Sequence, residues 1–68
     1  MNISYNDQTD LLYIRMDDSK QDVVNQRVTD DVVLDIGAEG KIIGIEILDA
    51  SKNIHLDSVL PVSWKKAV

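Results

Sequence analysis

The sequence predicts a small, mainly β fold, an antiparallel meander of four or five strands followed by a short C-terminal helix or tail. Short runs of alternating Ile, Val and Leu recur about every ten residues, with polar turn formers between them. No stretch before Asp49 has the apolar spacing of a helix, and a parallel sheet needs long, usually helical, crossovers. A chain of 68 residues is expected to form a single domain over residues 1–68.

The clearest strand signal is a β-hairpin within residues 31–51. β-Branched Val and Ile dominate this stretch, and they favour strands over helices in short runs. Glycines at positions 37 and 40 suit a tight connection over residues 37–40. With that connection, the predicted register sets Asp35 opposite Ile42, Leu34 opposite Ile43 and Val32 opposite Ile45.

The remaining elements follow from shorter patterns. Three further strands are predicted over residues 1–6, 11–16 and 23–28, and the polar residues of the third suit a sheet edge. After Asp49, a candidate N-cap, we expect a helical turn or short helix over residues 50–60, because Pro61 prevents continuation. Residues 62–68 form either a further strand or a tail, in which Trp64 anchors to its own sheet or to another subunit.

The second face of the hairpin mixes apolar and acidic side chains, and Gly44 leaves room there for a close backbone approach or a bulge. Such a half-apolar face usually contacts the chain's own tail, a second copy or a different partner. Asp35 and Glu46 either form a cross-strand ion pair with Arg15 or contact a basic partner. The predicted interface residues are Tyr13, Arg15, Val33, Asp35, Ile42, Glu46, Leu48 and Trp64.

The composition limits both the source of stability and the kind of partner. Cysteine and phenylalanine are absent, which excludes disulfides and zinc fingers and predicts an aliphatic core. So small a chain is expected to gain stability by self-association, as a homodimer or higher oligomer. The net charge of −5 predicts no nucleic-acid or membrane partner, and it favours a basic protein partner or simple solubility. Without a signal peptide or transmembrane run, the expected localisation is cytoplasmic.

Two motifs resemble a small, mainly bacterial family, domain of unknown function 2283. One is the run Asp10-Leu11-Leu12-Tyr13-Ile14-Arg15; the other is the run of residues 31–36 followed by residues 40–51. The resemblance covers most of residues 5–51 and implies neither an established activity nor a catalytic set. Members of the family are similar to components encoded beside small toxin-like proteins, which implies an antitoxin-like or binding role.

Candidate catalytic and metal-binding residues are few. A triad of His55, the sole histidine, with Ser51 or Ser58 and Asp57 would need sequence neighbours to converge, which they seldom do. The carboxylates lack calcium-loop spacing, and residues 37–40 lead into a strand rather than a phosphate-binding helix. We therefore predict no catalytic residue, metal or cofactor, and a non-enzymatic protein-interaction module, with antitoxin-like neutralisation of a small basic partner. The alternative is a structural homo-oligomer or small-ligand-binding protein without a toxin partner.

Overall fold

The computed structural model describes residues 1–59. The mainly β class is confirmed, and two short helices follow the strands. The predicted helix over residues 50–60 is divided at residues 54–55, and Trp64 lies outside the described residues. The elements are β1 (Asn2–Asn6), β2 (Leu11–Arg15), β3 (Val24–Arg27), β4 (Val32–Ile36), a 3-10 turn (Ala38–Gly40), β5 (Ile42–Ile47), α1 (Ala50–Asn53) and α2 (Leu56–Val59).

The five strands form one antiparallel sheet in the order β1-β2-β5-β4-β3. This order corrects the predicted meander, because β5 lies between β2 and β4, and β3 lies at the far edge. The isoleucine-rich β5 is thereby paired on both sides, whereas all four residues of β3 are exposed. The edge position predicted for β3 from its polar residues is confirmed.

The predicted register of the β4–β5 hairpin is wrong by two residues. Asp35 lies opposite Gly44 and Leu34 lies opposite Ile45. The connection is longer than predicted, with the N–H of Gly37 donating to the C=O of Lys41 at 2.8 Å. Because side chains alternate with a period of two, a shift of two residues keeps each of them on its predicted face.

Ile42 is the exception to this rule. A β-bulge shifts the register between Asp35 and Ile36, so that Ile42 lies opposite Ile36 rather than Asp35. A bulge places two residues of one strand against one of the other and interrupts the alternation. Ile42 therefore leaves the face that carries Asp35, and its side chain is 46% exposed.

Helix α1 covers one face of the sheet, which we call the covered face. Leu12 is completely buried there between its cross-strand partners Tyr5 and Ile47, and Ala50 of α1 packs against this cluster. The core is mainly aliphatic, as the composition predicts. The partly buried residues packed on this cluster are Ile3, Ile14, Ile47, Ile54 and Leu56.

Asp10 joins the β1–β2 turn to the start of helix α1. Its carboxylate accepts hydrogen bonds from the hydroxyl of Tyr5 at 2.7 Å, and from the N–H and hydroxyl of Ser51 at 3.0 and 2.7 Å. Its C=O accepts the N–H of Ala50 at 2.9 Å. The first N–H groups of a helix have no partner within the helix, and here Asp10 supplies one from another part of the chain.

Asp49, by contrast, does not act as the predicted capping side chain. It occupies the N-cap position, but it is left-handed, with φ of 48°, and its side chain makes no capping hydrogen bond. A capping side chain normally belongs to a residue in an extended conformation. The carboxylate of Asp10 takes over the role by accepting the N–H of Ser51, 41 residues later in the chain.

We expect Asp10→Asn to destabilise the protein at neutral pH. The hydrogen bonds from Ser51 and Tyr5 hold the pKa of Asp10 below its ordinary value, against a smaller opposing effect of desolvation. A lowered pKa stabilises the folded state above the unfolded-state value, about 4, and this stabilisation disappears as the pH falls through the folded-state value. The urea midpoint of Asp10→Asn should therefore lie below that of the wild type at pH 7, and the difference should narrow in acid.

Asp22→Asn is a matched control, because it removes the same charge at an exposed loop position. Its urea midpoint should follow that of the wild type at every pH. Equal midpoints for Asp10→Asn and Asp22→Asn at pH 7 would contradict the capping role.

Candidate functional site

The other face of the sheet carries two cross-strand rows of mainly polar side chains, and we call it the polar face. α1 and Leu56 of α2 pack on the covered face, so these helices do not cross the polar face. Five predicted interface residues lie on it. One row contains Tyr13, Glu46, Val33 and Arg27, and the other contains Arg15, Gly44, Asp35 and Asn25.

Asp35 lies at the centre of the polar face and is only 7% exposed. One carboxylate oxygen accepts the hydroxyl of Tyr13 at 2.9 Å, and the other accepts the side-chain amide of Asn25. Burial, followed by the hydrogen bond to Asp35, raises the pKa of Tyr13. A buried carboxylate is costly unless it is hydrogen-bonded, and here donors from β2 and β3 supply those bonds.

Gly44 makes room for this arrangement. A Cβ atom at position 44 would lie 2.8 Å from Cζ of Tyr13, which is closer than van der Waals contact permits. The absence of a side chain lets the Tyr13 ring cross β5 and reach Asp35 on β4. The space predicted at Gly44 for a close backbone approach is instead occupied by a side chain, the ring of Tyr13.

Glu46 forms a carboxyl pair with Asp35. The hydrogen bond to Asp35 raises the pKa of Glu46, and desolvation and the negative charge of Asp35 act in the same direction. The positive charge of Arg27 opposes these effects. Two adjacent carboxyl groups resist ionising together, so Glu46 holds its proton more tightly than an isolated glutamate does.

Arg15 does not form the cross-strand ion pair that was one of the two predicted alternatives. Its Nε donates to the C=O of Asp17 at 3.0 Å and lies 3.4 Å from the carboxylate of Asp18. Arg15 ends β2, so the following loop offers acceptors nearer than Asp35 on β4. The cation that acts on Glu46 is Arg27, whose guanidinium also donates to the C=O of Asp30.

Sequence reasoning missed Asn25 and Arg27 as residues of the site. Both lie on β3, and the β3–β4 register places them opposite Asp35 and Val33. The available signal was their alternation along the strand, with a period of two. That alternation shows that Asn25 and Arg27 share a face, but it does not show which residues of β4 lie opposite them unless the pairing of β3 with β4 is known.

The remaining predicted interface residues have different positions. Val33 is 8% exposed and lies between Glu46 and Arg27, so its neighbours largely cover it. Leu48 is half-buried just after β5, and its N–H donates to the C=O of Asp31 at 2.7 Å. Ile42 is on the opposite face, and Trp64 lies outside residues 1–59, so its anchoring role stays a prediction.

A shallow groove of about 210 Å³ lies beside the helices. The hydroxyl of Ser51 donates to Asp10, and Oγ of Ser58 is 3.5 Å from Nδ1 of His55. A nucleophile and its base normally lie 2.6–3.2 Å apart. The residues considered for a catalytic triad therefore lie near one another, but neither serine makes the short hydrogen bond to His55 that a triad uses. The groove is lined by Ser51, Ile54, His55, Leu56 and Asp57.

The fold and the polar face define a class of small acidic proteins, with a five-stranded antiparallel sheet, helices on one face and a carboxyl pair on the other. The model of the family described as "Protein of unknown function (DUF2283)" matches residues 2–51, and the chain belongs to this family. No curated protein and no solved structure matches the chain. Among the described residues, no helix has the length and apolar character needed to span a membrane.

We expect Gly44→Ala to cost about 1–3 kcal/mol of unfolding free energy, as overpacking typically does. The added methyl group displaces the Tyr13 ring and separates its hydroxyl from Asp35. In a Tyr13→Phe background that hydrogen bond is already absent, so the same substitution should cost less. Urea unfolding of the four proteins in this double-mutant cycle measures the coupling. Equal costs in both backgrounds would contradict the proposed role of Gly44.

We expect Glu46→Gln to be at least as stable as the wild type at pH 7. A raised pKa means that the folded state favours protonated Glu46. The stability that this protonated group contributes to the fold is complete below its ordinary pKa of 4.5, and it is lost as the pH rises through the pKa in the folded state. Glutamine stays neutral and keeps a donor for Asp35. Urea midpoints from pH 4 to 8 should therefore fall less in Glu46→Gln than in the wild type. Glu39→Gln, in the exposed hairpin turn, should retain the wild-type profile; a shared profile for all three proteins would argue against the carboxyl pair.

Proposed function

We propose that the chain is a non-enzymatic protein-interaction module that binds a basic protein through its polar face, in the manner of an antitoxin. The observation that carries the proposal is the placement of Asp35 and Glu46 at neighbouring positions of one sheet face, opposite the helices. The ion pair that Arg15 forms is with Asp18 and not with this carboxyl pair. The nearby positive charge of Arg27 opposes the negative charge of the carboxyl pair.

A basic side chain of a partner would compensate the negative charge of the two carboxyl groups. An adjacent cation favours the ionised form of a carboxyl group, so a lysine or arginine near Glu46 would reverse the upward shift of its pKa. Hydrogen bonds between charged groups are stronger than neutral ones. The site therefore favours a cationic group of a partner over a neutral one.

The charge of the whole chain supports the same type of partner. A net charge of −5 over 68 residues attracts a basic protein and accelerates its association. Tyr13 and Asn25 hold Asp35 in place before binding, which reduces the entropy lost on association. If the surface of a basic toxin that binds the polar face also contains the toxin's active site, binding neutralises the toxin.

The first test uses the product of the gene adjacent to this one in its native genome, together with any basic protein that copurifies. Calorimetric titration should show binding that weakens as salt concentration rises. Glu46→Gln should raise Kd about tenfold, which corresponds to the loss of one charge-assisted hydrogen bond. Glu39→Gln removes the same charge far from the pair and should change Kd less than twofold.

Failure of both proteins to bind, or an equal loss of affinity in Glu39→Gln, would contradict binding at the polar face. The antitoxin-like role has a separate readout. Coexpression of the wild-type chain should restore the growth of bacteria that express the partner, and Glu46→Gln should restore it less well. Binding without growth rescue would support the interaction module and contradict the neutralising role.

A further inference from the structure

The protection of the β3 edge of the sheet is limited to the shortness of the strand and the single charge of Arg27. Within residues 1–59, β3 has a neighbour on one side only, β4. The most exposed valines there are Val24, at 68%, and Val28, just after the strand, at 55%. Natural edge strands are commonly protected by lysine, proline or a bulge. The segment of residues 23–28 contains neither lysine nor proline, and Arg27 is its single charged residue.

The ladder shows which backbone groups of β3 face outward. The N–H of Val28 donates to the C=O of Val32, and antiparallel hydrogen-bonded pairs recur at every second residue. With the β3–β4 register, Gln26 and Val24 therefore direct their backbone groups toward β4. The N–H and C=O groups of Asn25 and Arg27 point away from the sheet, in the direction from which another strand would approach.

We propose that a second copy of the chain pairs with this edge in an antiparallel manner, with Asn25 of each copy opposite Arg27 of the other. Two five-stranded sheets would then form one continuous sheet across a twofold axis at Gln26. This register sets Val24 of each copy opposite Val28 of the other, on the covered side of the sheet. Val24 and Val28 of each copy thereby become covered.

Neighbouring registers that also use the outward backbone groups are less favourable. If Asn25 lies opposite itself, Val28 meets Asp22 of the second copy instead of a valine. If Arg27 lies opposite itself, two like charges meet, which destabilises a sheet. Only the proposed register pairs valine with valine and separates the two arginines.

The charges of the polar face also favour a second copy. The side chain of Asn25 donates a hydrogen bond to Asp35 and therefore lies on the polar face. In the proposed register, Arg27 of the second copy lies opposite Asn25, so it is on the same side of the sheet as the carboxyl pair. β3 contains no acidic residue, so carboxylates meet only beyond the paired strands, where Asp22 of each copy lies opposite Asp30 of the other. Since each copy carries a net charge of −5, added salt should strengthen this dimer, whereas it weakens the binding of a basic partner.

Sedimentation equilibrium over a micromolar to millimolar concentration series tests the pairing. The wild type should associate to a dimer. Val24→Lys with Val28→Lys should weaken the dimer about tenfold or more, because lysine meets lysine twice across the interface. Val24→Lys with Val28→Glu should retain the dimer, because each lysine then meets a glutamate. Both variants alter exposed side chains, and circular dichroism should show that both keep the wild-type fold.

Disulfide trapping tests the register, since the chain has no cysteine of its own. Under mild oxidation, a mixture of Val24→Cys and Val28→Cys chains should form the mixed disulfide. Val24→Cys alone should not link, because its two Cα atoms would lie about 13 Å apart, four residues along a strand, and a disulfide needs less than about 7 Å.

Three results would overturn the proposal. The first is a wild type that stays monomeric throughout the series, and the second is linking of Val24→Cys chains as readily as the mixture. The third is slow amide exchange of Asn25 and Arg27 in a monomer, which would assign the edge to another segment of the same chain. The β3 edge and the carboxyl pair have opposite salt dependences, so failure of one proposal is distinguishable from failure of the other.

Discussion

The contact on which most of the architecture depends is the carboxylate of Asp10. It binds the hydroxyl of Tyr5 and both the N–H and the hydroxyl of Ser51. The chain has no cysteine, so hydrogen bonds and aliphatic packing hold the β1–β2 turn against helix α1. Asp10 closes the covered face above Leu12 and sets where helix α1 begins. The region matched by the family model, residues 2–51, contains both sides of this contact.

The central position of β5 is the second constraint, and it creates the polar face. Tyr13, Asp35 and Glu46 lie on three different strands, and they meet because β2 and β4 both pair with β5. Gly44 at the crossing point lets the tyrosine ring span β5. No buried side-chain N or O atom among the described residues lacks a hydrogen-bond partner. The polar face is thus a satisfied network that still contains two adjacent carboxyl groups.

The polar face and the β3 edge offer two physically different means of association. The polar face acts through charge, which gives partner selectivity and sensitivity to salt. The β3 edge acts through backbone hydrogen bonds and two exposed valines, which depend little on the partner's charge. Asn25 belongs to both, because its side chain holds Asp35 while its backbone points outward. A second copy at the edge and a basic protein on the face would therefore occupy adjacent surfaces.

The alternation of apolar residues and the polar turn clusters were sufficient to predict the strands and which side chains share a face. Parity alone placed Tyr13, Asp35 and Glu46 together, and even a register error of two residues left them so. These features depend on neighbours in the sequence, which local patterns describe well. The bulge that moved Ile42 to the other face depends instead on how the longer turn closes, and the alternation contains no sign of it.

Only the tertiary structure decided the strand order, the partners of the site and the cap of helix α1. The pairing of β2 with β5 and the contact of Asp10 with Ser51 join residues about thirty or more positions apart. Many arrangements of the same strands satisfy the local pattern equally well. The observed order packs Leu12, Tyr5 and Ala50 against one another and leaves Asp35 hydrogen-bonded on the other side, and these contacts depend on the tertiary structure.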